Sequence, residues 1–186
     1  MTKIVKIHGA SGSGKTTAVR SLMDHALSTG ILHGVGHKVE AYNLVLPGVY
    51  DHVYVIGSYE NNCGGVDTIP DYRTVLSLVD HYRSLGGHVI FEGLLQSTYY
   101  GAMGEHSKQY GDDYVYAFLD TPKEVCVERV NARRAQQGTK TKFNPDNTRK
   151  KWDTIERLHN KLFGVHRTET LYHDKPMFPQ LLEILK

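Results

Sequence analysis

Small residues and a lysine crowd one stretch near the start of the chain, where Lys3 to Val19 reads KIVKIHGASGSGKTTAV. Gly9, Gly12 and Gly14 fall within six positions. Glycine weakens helices and strands alike, so three so close together serve a need for bare backbone. Gly9 to Thr16 fits G-x-x-x-x-G-K-[ST], the phosphate-binding loop, or P-loop. In that loop successive N–H groups curl round a phosphate, and side chains would block the approach. The amides and dipole at the start of the following helix add positive potential. On this pattern Gly9, Ala10, Ser11, Gly12, Ser13, Gly14, Lys15 and Thr16 bind the nucleotide. Lys15 reaches its β- and γ-phosphates, and Thr16 offers a hydroxyl to Mg²⁺. The implied ligand is a nucleoside triphosphate, with ATP and Mg²⁺ the expected pair. A ligand is not yet a reaction.

Three further groups of residues bear on the reaction. His88-Val-Ile-Phe-Glu92 is an apolar strand ending in a carboxylate, and in open parallel sheets ligands sit beyond the carboxyl ends of the strands. Glu92 is therefore expected beside the phosphates, as a metal residue with Thr16, as a proton acceptor, or as a cap of the next helix. Gly57 to Ile69 reads GSYENNCGGVDTI, too long for a simple turn, with a glycine pair that lets backbone approach a ligand. Asp67 is its candidate general base, since an alcohol must lose a proton as it attacks; the competing reading is a turn or capping residue. Cys63 reads as a packing residue. Arg129 and Arg133, four apart on one helix face, and the adjacent Arg134 are candidates to meet the charge that phosphoryl transfer spreads over the equatorial oxygens. The competing reading is an exposed ion pair with Glu124 or Glu128. Tyr59, Tyr72, Tyr99 and Tyr100 offer flat faces for a base, against simple packing.

The elements that must position these groups alternate. Ile4, Val5 and Ile7 predict a buried strand. Apolar spacing from Thr16 through Leu27 predicts a helix ending near Gly30. Strands are expected over Val39–Leu46, Val53–Ile56, His88–Phe91 and Tyr114–Leu119. A helix through Val75 to Leu85 is closed by Gly86 and Gly87. Thr121-Pro122-Lys123-Glu124 reads as a capping box with Thr121 as N-cap. Asn144-Pro145 starts a helix with the stripe Trp152, Ile155, Leu158 and Leu162, stopped at Gly164. AQQGTKTKF, from Ala135 to Phe143, reads as a mobile loop, and the last helix lies in PMFPQLLEILK. Together these predict a three-layer α/β fold, a parallel five-stranded sheet flanked by helices, in one domain over 1–186 with a lid at about 129–150.

Composition narrows the function classes. With 40% hydrophobic and 23% charged residues the chain is an ordinary globular mixture rather than a disordered one. No apolar leader and no run near the ~18 apolar residues of a membrane span occur, so a cytoplasmic protein without membrane contact is expected. Two cysteines in no metal-ligand spacing fit a reducing compartment. The net charge of +2 hides a split: Lys123 to Arg167 holds twelve Lys and Arg against five Asp and Glu, or +7, leaving −5 elsewhere. Such a block suits an anionic ligand, or else solvated helix faces. Asn160-Lys161 is followed by Leu162 and Phe163, so the guanine-specific N-K-x-D pattern is missing. A small kinase of a hydroxyl acceptor is the reading that remains, beside an NTP-binding regulatory module.

GASGSGKTT, GSYENNCGGVDTI, VIFEGLL and FLDTPKEVCVERVNARR together resemble phage-encoded P-loop kinases that act on 5-hydroxymethyluracil in DNA, in thymine hypermodification pathways. The Glu128–Arg134 segment resembles the lid of adenylate-kinase-like enzymes. The likeness runs through about Arg134, with a weaker continuation in the Asn144–Leu162 helix. It implies transfer of the γ-phosphate of ATP to the base hydroxymethyl group. Gly9, Gly12, Gly14, Lys15, Thr16 and Thr17 would bind nucleotide, Asp67 and Glu92 would flank the acceptor, and Arg129–Arg134 would supply the lid. The substrate partner implied is DNA containing 5-hydroxymethyluracil, the location the host cytoplasm, and Lys140–Lys151 a hold on the phosphate backbone. A kinase of a free nucleoside, nucleotide or other small hydroxyl metabolite is the alternative.

Overall fold

The computed structural model describes residues 2–34, 38–49, 51–60, 64–93, 100–138 and 143–186. Strand β1 (Ile4–His8) is buried along its whole length, as a strand covered on both faces must be. After α1 (Lys15–Asp24) come β2 (Ser28–His33), β3 (Val39–Val45) and β4 (Val53–Ile56). Then follow α2 (Tyr72–Ser84), β5 (His88–Glu92), α3 (Gly101–Lys108) and β6 (Tyr114–Leu119). The chain closes with α4 (Lys123–Gln136), α5 (Pro145–Leu162), β7 (Thr168–Leu171) and α6 (Met177–Leu185).

The sheet has seven strands in the order β2-β3-β4-β5-β1-β6-β7. From β4 to β7 neighbours are parallel, while β3 runs antiparallel to β4 and β2 to β3. The expected five parallel strands are thus corrected to seven in a mixed sheet. Two strands went unforeseen. The helical spacing through Leu27 misleads, because α1 ends at Asp24 and the chain then turns into β2, whose backbone pairs with β3 from Ser28 opposite Val45 to His33 opposite Val39. β2 is exposed at nearly every residue, so no burial alternation marks it. β7 is four residues long and buries only Leu171. The Thr121 cap is corrected as well: α4 begins one residue later, with Pro122 at its N-cap.

Two cores make the three layers. Val5, Ile7, Val55, Ile90 and Val115 pack with Ala18, Val19 and Leu22 of α1 and Leu181, Ile184 and Leu185 of α6. On the other face Ile4, Ile56, Phe91, Tyr116 and Phe118 meet Val79 of α2, Met103 of α3, Cys126 of α4 and Ile155, Leu158 and Leu162 of α5. The five parallel strands end along one edge, so the segments after β1, β4, β5, β6 and β7 gather there. Among the described residues no helix is long and apolar enough to cross a membrane.

Candidate active site

From β1 the chain turns through 9–14 into α1. Gly14 sits at φ 102°, left-handed backbone that a side chain would resist, and its carbonyl accepts the Ala18 N–H at 2.8 Å. Lys15 folds back over the turn: Nζ donates to the carbonyls of Gly9 at 2.8 Å and Ala10 at 3.2 Å. Burial pulls the Lys15 ammonium below its ordinary range, and the carboxylates of Glu92 and Asp67 pull it back up. The outer rim of the turn rests on α4 and α5. The buried Thr121 hydroxyl donates to the Ser13 carbonyl at 2.7 Å, and the Trp152 indole N–H donates to the Thr121 carbonyl at 2.9 Å. Arg129 Nη1 donates to the Gly12 carbonyl at 3.4 Å.

Glu92 ends β5 at 2% exposure, and the Thr16 hydroxyl donates to its Oε1 at 2.9 Å. Burial pushes the Glu92 carboxyl above its ordinary range, against the Lys15 charge and the Thr16 hydrogen bond, with Asp67 adding to the rise. Asp67 comes from a one-turn helix, Val66–Thr68, that follows β4. An isolated bridge between Ser58 and Gly65 folds that loop back toward the end of β5. Gly65 has φ 91°, and a Cβ there would come within 2.8 Å of Glu92 Oε1. A Cβ on Gly93 would come within 2.9 Å of Asp67 Oδ1. Two bare glycines therefore let the two carboxylates share one place. Asp67 is exposed where Glu92 is buried, so it is the one open to a substrate.

These groups line a single cleft of about 860 Å³. Ala10 to Thr17, Asp67, Glu92, Arg129 and Arg133 all face it; Gly9 lies behind the turn, and the half-buried Arg134 lies outside the lining. Sequence reasoning missed Ser21, Gln136, His173, Lys175 and Met177, which carry the cleft away from Lys15. Asp120 fixes the loop after β7: its Oδ1 accepts the His173 N–H at 2.7 Å and lies 2.9 Å from Nδ1. No signal marked this loop, because it follows the unforeseen β7. Of the aromatic candidates, Tyr59 is buried, its N–H on the Tyr42 hydroxyl and its carbonyl on Arg20, and serves packing. Cys63, Tyr99 and residues 139–142 of the expected mobile loop lie outside the described residues.

A family model described as 5-hmdU DNA kinase matches residues 1–173. The chain belongs to the 5-hmdU DNA kinase family. A relative from Pseudomonas phage PaMx11, named 5-hmdU DNA kinase, is 34% identical over 152 residues, covering 81% of this chain and 79% of the relative. One of the same name from Pseudomonas phage M6 is 31% identical over 176 residues, covering 89% and 88%. The crystal structure of a gluconokinase from Sinorhizobium meliloti 1021 superposes with a TM-score of 0.52 at 13% identity, covering 99% of this chain and 89% of that one, a likeness of fold. Membership makes the chain a phosphotransferase. The family match also reaches past Arg134, so it takes in α5 and β7.

Proposed function

We propose that the chain transfers the γ-phosphoryl group of ATP to the hydroxymethyl group of a 5-hydroxymethyluracil base in DNA. The names of its relatives support the acceptor. The observation that carries the chemistry is the one cleft that collects the P-loop, an exposed and a buried carboxylate and two arginines. The nucleotide lies with its phosphates against 10–16 and its nucleoside toward Thr17, Ser21, His173 and Met177. Asp67 takes the proton of the acceptor hydroxyl as that oxygen bonds to the γ-phosphorus. The bond from phosphorus to the β–γ bridging oxygen breaks, and ADP leaves with the electron pair. Arg129 and Arg133 meet the charge on the transferring group. Thr16 and Glu92 fit Mg²⁺, being hard oxygen donors joined at 2.9 Å beside the phosphate turn. The ion, when bound there, neutralises charge on the β- and γ-oxygens.

The hydroxymethyl carbon of such a base projects into the major groove of a duplex, and a recessed cleft calls for single-stranded DNA or a flipped base. Incubation with γ-labelled ATP tests the reading. Label on 5-hydroxymethyluracil DNA and none on thymine DNA is the expected result. Label confined to free nucleosides or nucleotides would replace it with the small-acceptor alternative.

A further inference from the structure

α5 has two differently furnished flanks. One packs on α4: Trp152 reaches Thr121, Arg149 holds Glu124 Oε2 at 2.8 Å, and Asp153 pairs with Lys123 at 2.5 Å. The other carries Lys150, Arg157 and Lys161. At 100° per residue these three fall within about 40° of arc, roughly 110° round from the buried Ile155, Leu158 and Leu162. Among the described residues none of the three has a carboxylate partner. Arg157 donates to the Asp153 carbonyl and the Thr154 hydroxyl, and Lys161 lies 4.7 Å over the Tyr100 ring. Arg149, by contrast, is held by Glu124 and Asp146. This row stays unneutralised along about 16 Å of helix, a length that spans about five phosphates of one strand at the B-form rise.

Its place matters as much as its charge. Tyr100 caps the start of α3, the next described helix in the chain after the strand ending in Glu92, so the Lys161 end of the row stands against that element. α5 itself follows α4, whose Gln136 lines the cleft. We infer that Lys150, Arg157 and Lys161 form the track for the sugar–phosphate backbone of the DNA strand that carries the acceptor base. The track, which rests on DNA being the acceptor, lets the enzyme hold a polymer instead of a lone nucleotide. It keeps Lys150 of the expected Lys140–Lys151 hold and extends it to Arg157 and Lys161; Lys140 and Lys142 lie outside the described residues, and Arg149 is engaged by acids.

Fluorescence anisotropy with a labelled twelve-nucleotide strand, titrated over a range of salt, tests it. The triple variant Lys150→Gln, Arg157→Gln, Lys161→Gln is expected to weaken binding about tenfold or more near 0.1 M salt. The slope of log affinity against log salt should flatten by about 2 to 3. Lys150→Arg with Lys161→Arg should keep wild-type binding, and Lys186→Gln, remote from α5, should change neither quantity. Thermal denaturation confirms that the variants fold. Wild-type affinity and slope in the triple variant would overturn the track, as would binding to anionic lipid vesicles in place of oligonucleotide. Wild-type protein that binds the strand with this slope yet transfers no label to it would leave the track standing and remove the proposed reaction instead.

Discussion

Asp67 and Glu92 show how two carboxylates of the same chemistry are set apart by where they stand. Glu92 is buried and occupied by the Thr16 hydroxyl, whereas Asp67 rides an exposed turn on the cleft wall. Asp67→Asn is therefore expected to lower kcat by two orders of magnitude or more, the usual worth of a positioned base, with ATP affinity within about twofold. Steady-state kinetics with calorimetry checks this; a change confined to thermal stability would return Asp67 to the role of a turn residue. Lys6 makes a second case. It is buried in β1 with Nζ 2.7 Å from Met103 Sδ, and burial lowers its ammonium to about 7. Between about 7 and the ordinary 10.5 the unfolded chain carries a proton there that the folded one lacks, so stability rises with pH across that window. The wild type should gain up to about 1.4 kcal/mol per pH unit relative to Lys6→Met, read by denaturant titration at pH 7 and pH 9.

At the scale of elements the phosphate turn is held from outside as well as from within. Thr121, expected to cap its own helix, gives its hydroxyl to the Ser13 carbonyl instead, and Trp152 of α5 steadies Thr121. Thr121→Val keeps the shape and deletes the bond, leaving a buried carbonyl unpaired at a cost of about 1–3 kcal/mol. It is expected to lower kcat/KM for ATP about tenfold while α4 and α5 remain folded by circular dichroism. Unchanged kinetics with a lowered Tm would confine Thr121 to a structural role. The turn itself was legible because a phosphate cradle needs particular residues at consecutive positions, so the whole device lies in one short string. β5, β6 and α5 were legible from long apolar runs and stripes. β2, β7 and α3 were not. STGILH has no buried face, TETL buries one side chain, and GAMGEHSK begins on glycine with little apolar content, so all three are formed by neighbours rather than by their own pattern. His173 was invisible for the same reason: the loop that brings it to the cleft follows β7, which pairs with β6.

For the molecule as a whole, five parallel strand ends and a crossing of two packed layers bring residues from 10 to 177 to one cleft. A nucleotide bound across so many elements should stabilise the fold. With Mg²⁺ and ATP at 100 times Kd the gain is about 2.7 kcal/mol, or roughly 5–10 °C in Tm for a chain of this size. Lys15→Ala should keep the unliganded Tm within a few degrees and lose both this shift and most turnover. A full shift in that variant would contradict the phosphate cradle.

The two carbonyls that accept from the Lys15 ammonium act as built-in stand-ins for the oxygens of a visiting phosphate. A polyphosphate settling there would trade one set of contacts for another, so capture and discharge of nucleotide become a swap with a modest net gain. An enzyme tuned this way would release spent ADP readily, because the side chain has a resting berth to return to.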